Sequence, residues 1–228
     1  MARRSRVTPG GLVYHVLNRS VGKMVLFRHE SDFEAFERII HEAHERHPIR
    51  ILCYCVMSNH WHFVVWPQED GQVTRFFRWL AHTHAMRWRV SHRTVGYGHL
   101  YQGRFKSFPV ERDEHLLTLC RYVERNPLAA EMVKRAEQWR WSSLWVRCHG
   151  NAKQKSILSA WPLDRPRQWT EHVNRPLNGG ELEAVKTSLV RGQPLGSVDW
   201  VQKIAARLSL EHTMRPEGRP KKPEATKN

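Results

Sequence analysis

The sequence has no run of about 18 consecutive apolar residues, the length a membrane-spanning helix needs, so no membrane span is expected. It has no Cys-x-x-Cys pair, which excludes a zinc ribbon. Its four cysteines, at 53, 55, 120 and 148, are expected to be reduced thiols in a cytosolic protein. Cys53 and Cys55 share one strand face and are poorly placed to bond each other. There is no His-Glu-x-x-His, so that class of metalloprotease is excluded, and no glycine loop ends in Gly-Lys-Ser/Thr, so Gly96–Arg104 is not a P-loop. The basic start Met-Ala-Arg-Arg-Ser-Arg lacks a following apolar stretch, and no secretory signal is expected. No internal repeat is visible. Acidic residues are scarce: 22 Asp and Glu face 37 Lys and Arg, for a net charge of +15. That imbalance predicts a polyanionic partner. Arginine dominates the basic set and its fork matches phosphate geometry. Ten tryptophans and eight phenylalanines suit stacking on the bases of single strands.

The most informative stretch is Met57-Ser58-Asn59-His60-Trp61-His62-Phe63-Val64-Val65-Trp66. Alternate residues of a strand point to one face, so His60 and His62 leave the sheet side by side. Such a pair can share a metal ion, flank a phosphate, or simply serve as polar groups on a half-buried strand. A histidine-triad phosphohydrolase would need a third histidine at 64, where valine stands. Upstream, Ile51–Met57 is almost wholly apolar, and Ser58-Asn59 has turn chemistry, which predicts a hairpin from the centre of a sheet.

Along the chain, Leu12–Arg19 reads as a strand. Ser31 or Asp32 can cap a helix carrying Phe33, Phe36, Ile39, Ile40 and Ala43 at helical spacing, stopped by Pro48. The hairpin 50–66 follows, then a helix over 72–91 and a strand from Phe105 to Val110. A helix capped by Asp113 should end at Asn126-Pro127, since proline disfavours helix in the residue before it. The order βα-ββ-α-β-α predicts an α+β fold: a ferredoxin-like split βαβ antiparallel sheet with helices on one face. The expected organisation is one domain over 1–148, a linker over 149–180, short helices within 181–211, and a basic, proline-rich tail over 212–228 that is disordered alone.

Two further segments carry candidate chemistry. Arg104 and Lys106 share a strand face beside Tyr97, Tyr101 and Gln102, which resembles an edge for a nucleic-acid backbone, with the tyrosines as stacking platforms. In Arg121-Tyr122-Val123-Glu124-Arg125-Asn126, Tyr122 and Asn126 are one helical turn apart on one face. They read either as a nucleophile and a carbonyl-oxygen metal ligand, or as a structural tyrosine and a capping asparagine. In the tail, Gly218-Arg219-Pro220-Lys221-Lys222 resembles an AT-hook core, which lays arginine along a narrow minor groove.

Three blocks in order carry a family resemblance: Val56–His62, Leu100–Ser107, and Arg121–Leu128. Over roughly residues 5–145 the chain resembles the single-tyrosine His-hydrophobic-His (HUH) transposases of the IS200-like superfamily, in particular the REP-associated tyrosine transposases. The resemblance implies the HUH endonuclease fold and a divalent ion, Mg²⁺ or Mn²⁺, on His60, His62 and a ligand from the tyrosine helix. Insertion-sequence members have glutamine four residues after the tyrosine; Asn126 stands there, one methylene shorter. Two imidazoles suit Mn²⁺ better than Mg²⁺. The resemblance further implies that Tyr122 attacks phosphorus in single-stranded DNA bearing a hairpin, often a repetitive extragenic palindrome, and forms a 5′-phosphotyrosyl link. Arg121 and Arg125 are then expected to supply positive potential, and Arg3, Arg4 and Arg6 to hold the hairpin foot. A monomer or homodimer, cytoplasmic and nucleoid-associated, is expected. The alternative is a transposase-derived DNA-binding protein that has lost cleavage.

Overall fold

A computed structural model describes residues 7–215; Arg3, Arg4 and Arg6, and the tail residues Arg219, Lys221 and Lys222, lie outside the described residues. The sheet is built from β1 (Val13–Arg19), β2 (Arg50–Met57), β3 (His60–Trp66) and β4 (Lys106–Val110). Its order is β2-β3-β1-β4, with all neighbours antiparallel. β1 and β2 run the same way with β3 inserted between them, which is the split βαβ arrangement of the expected α+β fold. The two-residue turn Ser58-Asn59 joins β2 to β3.

Helices α1 (Glu30–Arg46) and α2 (Gln72–Ser91) cover one face. Their Phe33, Phe36, Ile39, Phe76, Phe77 and Leu80 pack on Tyr14, Val16, Tyr54, Trp61 and Phe63. Helix α3 (Glu114–Ala129) covers the other face, setting Leu116, Leu119, Cys120 and Val123 against Cys53, Cys55, Val64 and Phe108. The expectation that helices occupy one face holds for the two crossover helices and fails for α3. The reason lies in the strands: β2 is buried at every position from Ile51 to Met57, so both of its faces need cover. An extra residue at Leu52 shifts the β2–β3 register between Ile51 and Cys53. This bulge brings Cys53, Cys55 and Met57 opposite Val64, His62 and His60 on the α3 face.

Two expected helix ends are corrected. Asp32 lies inside α1, where its carboxylate accepts the backbone N–H groups of Arg28 and His29, and His29 is the capping position. α3 continues through Pro127 to Ala129, because the proline falls in the final turn, where few backbone bonds remain to be lost. Asp113 does cap α3, accepting from the His115 N–H at 2.9 Å.

The segment 149–180, expected as a linker, is packed. After α4 (Ser143–His149) it carries α5 (Ala152–Lys155) and α6 (Trp169–Asn174), and Trp169 and Val173 are buried in the α3-side core. α7 (Gly179–Arg191) and α8 (Val198–Leu208) follow, with Val185 and Leu195 in the same core. Glu124 is the pin: fully buried, it accepts from Ser143 Oγ at 2.5 Å and Trp169 Nε1 at 2.6 Å, joining α3 to α4 and α6. Burial pushes its carboxyl pKa up, and the two hydrogen bonds oppose that rise. Among the described residues, no helix is long and apolar enough to cross a membrane.

Tyr101, expected as a stacking platform, is instead core. Its hydroxyl accepts from Trp61 Nε1 at 3.0 Å and shares a hydrogen bond with His84 Nδ1 at 2.6 Å. Tyr97 is 79% exposed. Tyr101→Phe leaves the buried Trp61 Nε1 and His84 Nδ1 unpaired, and the urea midpoint should report a loss of about 2–4 kcal/mol. Tyr97→Phe should leave the midpoint unchanged.

Burial holds His84 and His15 neutral down to a pKa of about 3, below the ordinary 6.5. Between those values the unfolded chain binds protons that the native protein refuses, so stability should fall as pH drops below about 6.5 and stay level above it. Urea midpoints measured from pH 7.5 to 4.5 check this; a midpoint that rises with acid would contradict it.

Candidate active site

The α3 face of the sheet lays out the site by register alone. Across β1 and β3, Arg19 pairs with His60, Leu17 with His62, and His15 with Val64. Across β1 and β4, Leu17 pairs with Lys106. Paired residues share a face, so two histidines, Arg19 and Lys106 stand in adjacent rows at one end of the sheet. α3 crosses above them and brings Tyr122 down: the His60 and His62 ring centroids are 5.0 Å apart, and that of Tyr122 is 6.1 Å from His62. These groups line a cleft of about 550 Å³, together with Asn18, Gln102, Arg104 and, from the end of α7, Leu189 and Val190. Lys106 Nζ donates to the Leu189 carbonyl at 3.3 Å. No aspartate or glutamate lines this cleft among the described residues.

The hydrogen bonds around the histidines decide which nitrogens remain for a ligand. Asn59 Nδ2 donates to the Lys23 carbonyl, which turns its Oδ1 to His60 Nδ1 at 2.6 Å. An amide oxygen only accepts, so His60 carries its proton on Nδ1 and leaves Nε2 with a lone pair. His62 Nδ1 lies 2.9 Å from His15 Nε2, so when His62 donates there its Nε2 is likewise free. Burial, with the Arg19 charge adding to it, lowers His60 to about 4 and holds His62 well below its ordinary value. Both rings are therefore neutral at pH 7, the state a metal ion requires. The donor set fits a divalent ion on two imidazole nitrogens. Burial raises the Tyr122 phenol pKa, against a lowering contribution from the Asn126 side chain.

Several expected site residues are absent from the cleft lining. Asn126 stays beside Tyr122, with its Nδ2 donating to the Tyr122 backbone carbonyl at 3.0 Å and its side chain acting on the phenol, but it does not line the cleft. Arg121 is buried: it pairs with Glu181 and donates to the Arg175 and Pro176 carbonyls, while Arg125 donates to the Arg175 carbonyl. These two arginines fasten the segment before α7, and α7 itself, to α3; neither lines the cleft. Tyr101 faces the opposite core. Gln102, Arg104 and Lys106 do line the cleft.

Glu111, Asp113 and His115 also bring three possible ligand atoms within 4.8 Å of one another. Each already has a structural partner: His115 Nδ1 sits on the Asp113 carboxylate and Glu111 accepts the Ser197 N–H. Sequence reading missed His15 and Arg19. Their strand phase is visible, since both alternate with Tyr14 and Asn18, but the β1–β3 register that sets them beside His62 and His60 is not.

Comparison with known proteins gives one family and several solved structures. No curated protein matches the chain. A structure described as a REP-associated tyrosine transposase bound to a REP hairpin is 16% identical, with a TM-score of 0.48, covering 78% of this chain and 99% of that one. A crystal structure of a putative transposase from Deinococcus radiodurans is 17% identical, with a TM-score of 0.38, covering 54% of this chain and 96% of that one. The model of the family described as "Transposase IS200 like" matches residues 10–126, from before β1 to the end of the Tyr122 helix turn. With more than half of its length matched, the chain belongs to the IS200-like transposase family.

Proposed function

We propose that the protein nicks and rejoins single-stranded DNA at hairpin or palindromic sequences, with Tyr122 as nucleophile, as a member of the REP-associated tyrosine transposase branch. The observation that carries this reading is the meeting of two neutral imidazoles and the Tyr122 ring in one cleft lined by cations and, among the described residues, by no carboxylate. An acid-free, cationic cleft favours a polyanion. In the step proposed, Tyr122 Oη bonds to phosphorus, the phosphorus–3′-oxygen bond breaks, the phenol loses its proton and the leaving 3′-oxygen takes one up. The phosphodiester energy is kept in the 5′-phosphotyrosyl link, so rejoining is the same exchange reversed and needs no ATP. Gln102, Arg104 and Lys106 would hold the DNA backbone beside the scissile bond. The site of action would be cytoplasmic DNA.

His60 and His62 would hold the divalent ion through Nε2, with Mn²⁺ suiting two imidazoles better than Mg²⁺. The ion would supply Lewis-acid polarisation of the scissile phosphate. Asn126, at the family's third-ligand position, is the proposed third ligand, although its amide is turned to the Tyr122 carbonyl here. The raised phenol pKa means that Tyr122 needs positive potential to ionise, which the cleft cations supply.

A hairpin-bearing single strand incubated with Mn²⁺ should give a covalent protein–DNA band on a denaturing gel. Tyr122→Phe should keep DNA affinity and lose the band; His60→Ala should lose it with the metal. Wild-type protein that forms no band on any hairpin tried would favour a transposase-derived DNA-binding protein. His15→Phe should preserve packing yet weaken Mn²⁺ affinity about 10- to 100-fold, read by Mn²⁺ paramagnetic resonance, because it removes the hydrogen-bond partner of His62 Nδ1 that orients the ring. Unchanged Mn²⁺ affinity would show that His15 is only a core residue.

A further inference from the structure

Arg19 is the one cation on the histidine rows of the sheet that neither sequence reading nor the proposed chemistry has used. It ends β1 directly opposite His60, on the face shared with His62, and it lines the cleft with Tyr122. Its backbone is pinned on both sides: Gln102 N–H donates to the Arg19 carbonyl at 3.0 Å, and the N–H of the next residue, Ser20, donates to the Asn59 carbonyl at 3.0 Å. Asn18 Oδ1 accepts the Arg19 N–H at 3.0 Å. A side chain rooted this firmly is suited to positioning a substrate group.

Among the described residues, the guanidinium meets no internal anion. Arg121, Arg75, Arg87, Arg135 and Arg140 each meet a glutamate, whereas no ion pair among the described residues involves Arg19. Its Nε is buried and lacks a hydrogen-bond acceptor. A fork held at the wall of a cleft with no anion is costly, and the deficit is made good when a ligand brings an oxygen to its terminal nitrogens. The charge also acts on the site, since it adds to burial in holding both histidines neutral.

We propose that Arg19 is a substrate-binding catalytic residue whose guanidinium takes a non-bridging oxygen of the phosphodiester attacked by Tyr122. Arginine suits this task because its planar fork offers parallel N–H donors and stays charged in a buried cleft. As phosphorus accepts the phenol oxygen, negative charge concentrates on the non-bridging oxygens, and a fixed cation there stabilises the transition state more than the ground state. This inference rests on the nicking reaction proposed above, and Arg19 lies on the strand opposite the histidines rather than in any segment that carried the family resemblance.

The test uses the full chain, Arg19→Met and Arg19→Lys variants, and hairpin strands that each carry one neutral methylphosphonate, moved along the strand one phosphate at a time. On the unmodified strand, Arg19→Met should slow covalent adduct formation in single turnover roughly 10²-fold, with Arg19→Lys between it and wild type. Mn²⁺ affinity should not fall in either variant, which separates a phosphate contact from damage to the histidines. At the scissile position, methylphosphonate should slow wild type strongly and Arg19→Met hardly further, because both changes remove the same contact. Equal Arg19→Met deficits on both strands, or adduct formation at the wild-type rate, would overturn the proposal. The same series is read for equilibrium binding in the Tyr122→Phe background, where no chemistry occurs. A single position whose neutralisation weakens binding only when Arg19 is present supports the contact even if wild type proves unable to cleave; no such position overturns it.

Discussion

The site hangs on the pairing of β1 with β3. Strand side chains alternate, so a slip of one residue in that pairing would turn His15, Leu17 and Arg19 away from His60 and His62. The register is held by burial on both faces. Tyr14 and Val16 are committed to the α1–α2 side and Val13 to the α3 side, and a slip would exchange them. The His15–His62 hydrogen bond at 2.9 Å then closes the pairing at the floor of the candidate site. The bulge at Leu52 matters for the same reason, since it brings Cys55 and Met57 into phase beneath the histidines and gives α3 an apolar seat.

α3 carries two jobs on two faces of one helix. Tyr122 faces the histidines, while Glu124 and Arg121 hold the later helices. A buried carboxylate and a buried guanidinium are costly unless hydrogen-bonded: Glu124 accepts from Ser143 and Trp169, and the two terminal nitrogens of Arg121 meet Glu181 and the carbonyls of 175 and 176, while its Nε has no partner among the described residues. The later segment in turn returns to the cleft through Leu189 and Val190 at the end of α7. The position of Tyr122 is therefore tied to residues far downstream of the family-matched core.

Much of this was legible in the sequence because periodicity and turn chemistry are local. The hairpin over Ser58-Asn59, helix 72–91, the Asp113 cap and the shared face of His60 and His62 all follow from spacing within one element. What was not legible depends on partners distant in sequence. Tyr101 resembles an exposed loop aromatic until Trp61 and His84 claim its hydroxyl. Arg121 and Arg125 resemble DNA contacts until the carbonyls at 175 and 176 take them. Segment 149–180 is rich in proline and polar residues and reads as linker, yet Trp169 seated on Glu124, Trp161 donating to the Leu52 carbonyl, and buried Ile157 and Val173 anchor it. His15 and Arg19 acquire meaning only through register.

Among the described residues, two groups of side chains offer themselves to a divalent ion: His60 with His62, and Glu111 with Asp113 and His115. The first leaves Nε2 of His60, and Nε2 of His62 when that ring donates to His15, beside a tyrosine; the second is already spent on capping α3 and holding Ser197. Crystals of the protein with a hairpin-bearing single strand and Mn²⁺, measured at the manganese edge, separate them in one experiment. The expected result is an anomalous peak within bonding distance of His60 Nε2 and His62 Nε2, with a DNA phosphate and the Tyr122 hydroxyl beside it. A peak on Glu111, Asp113 and His115 with none at the histidines would contradict the assignment of the active site.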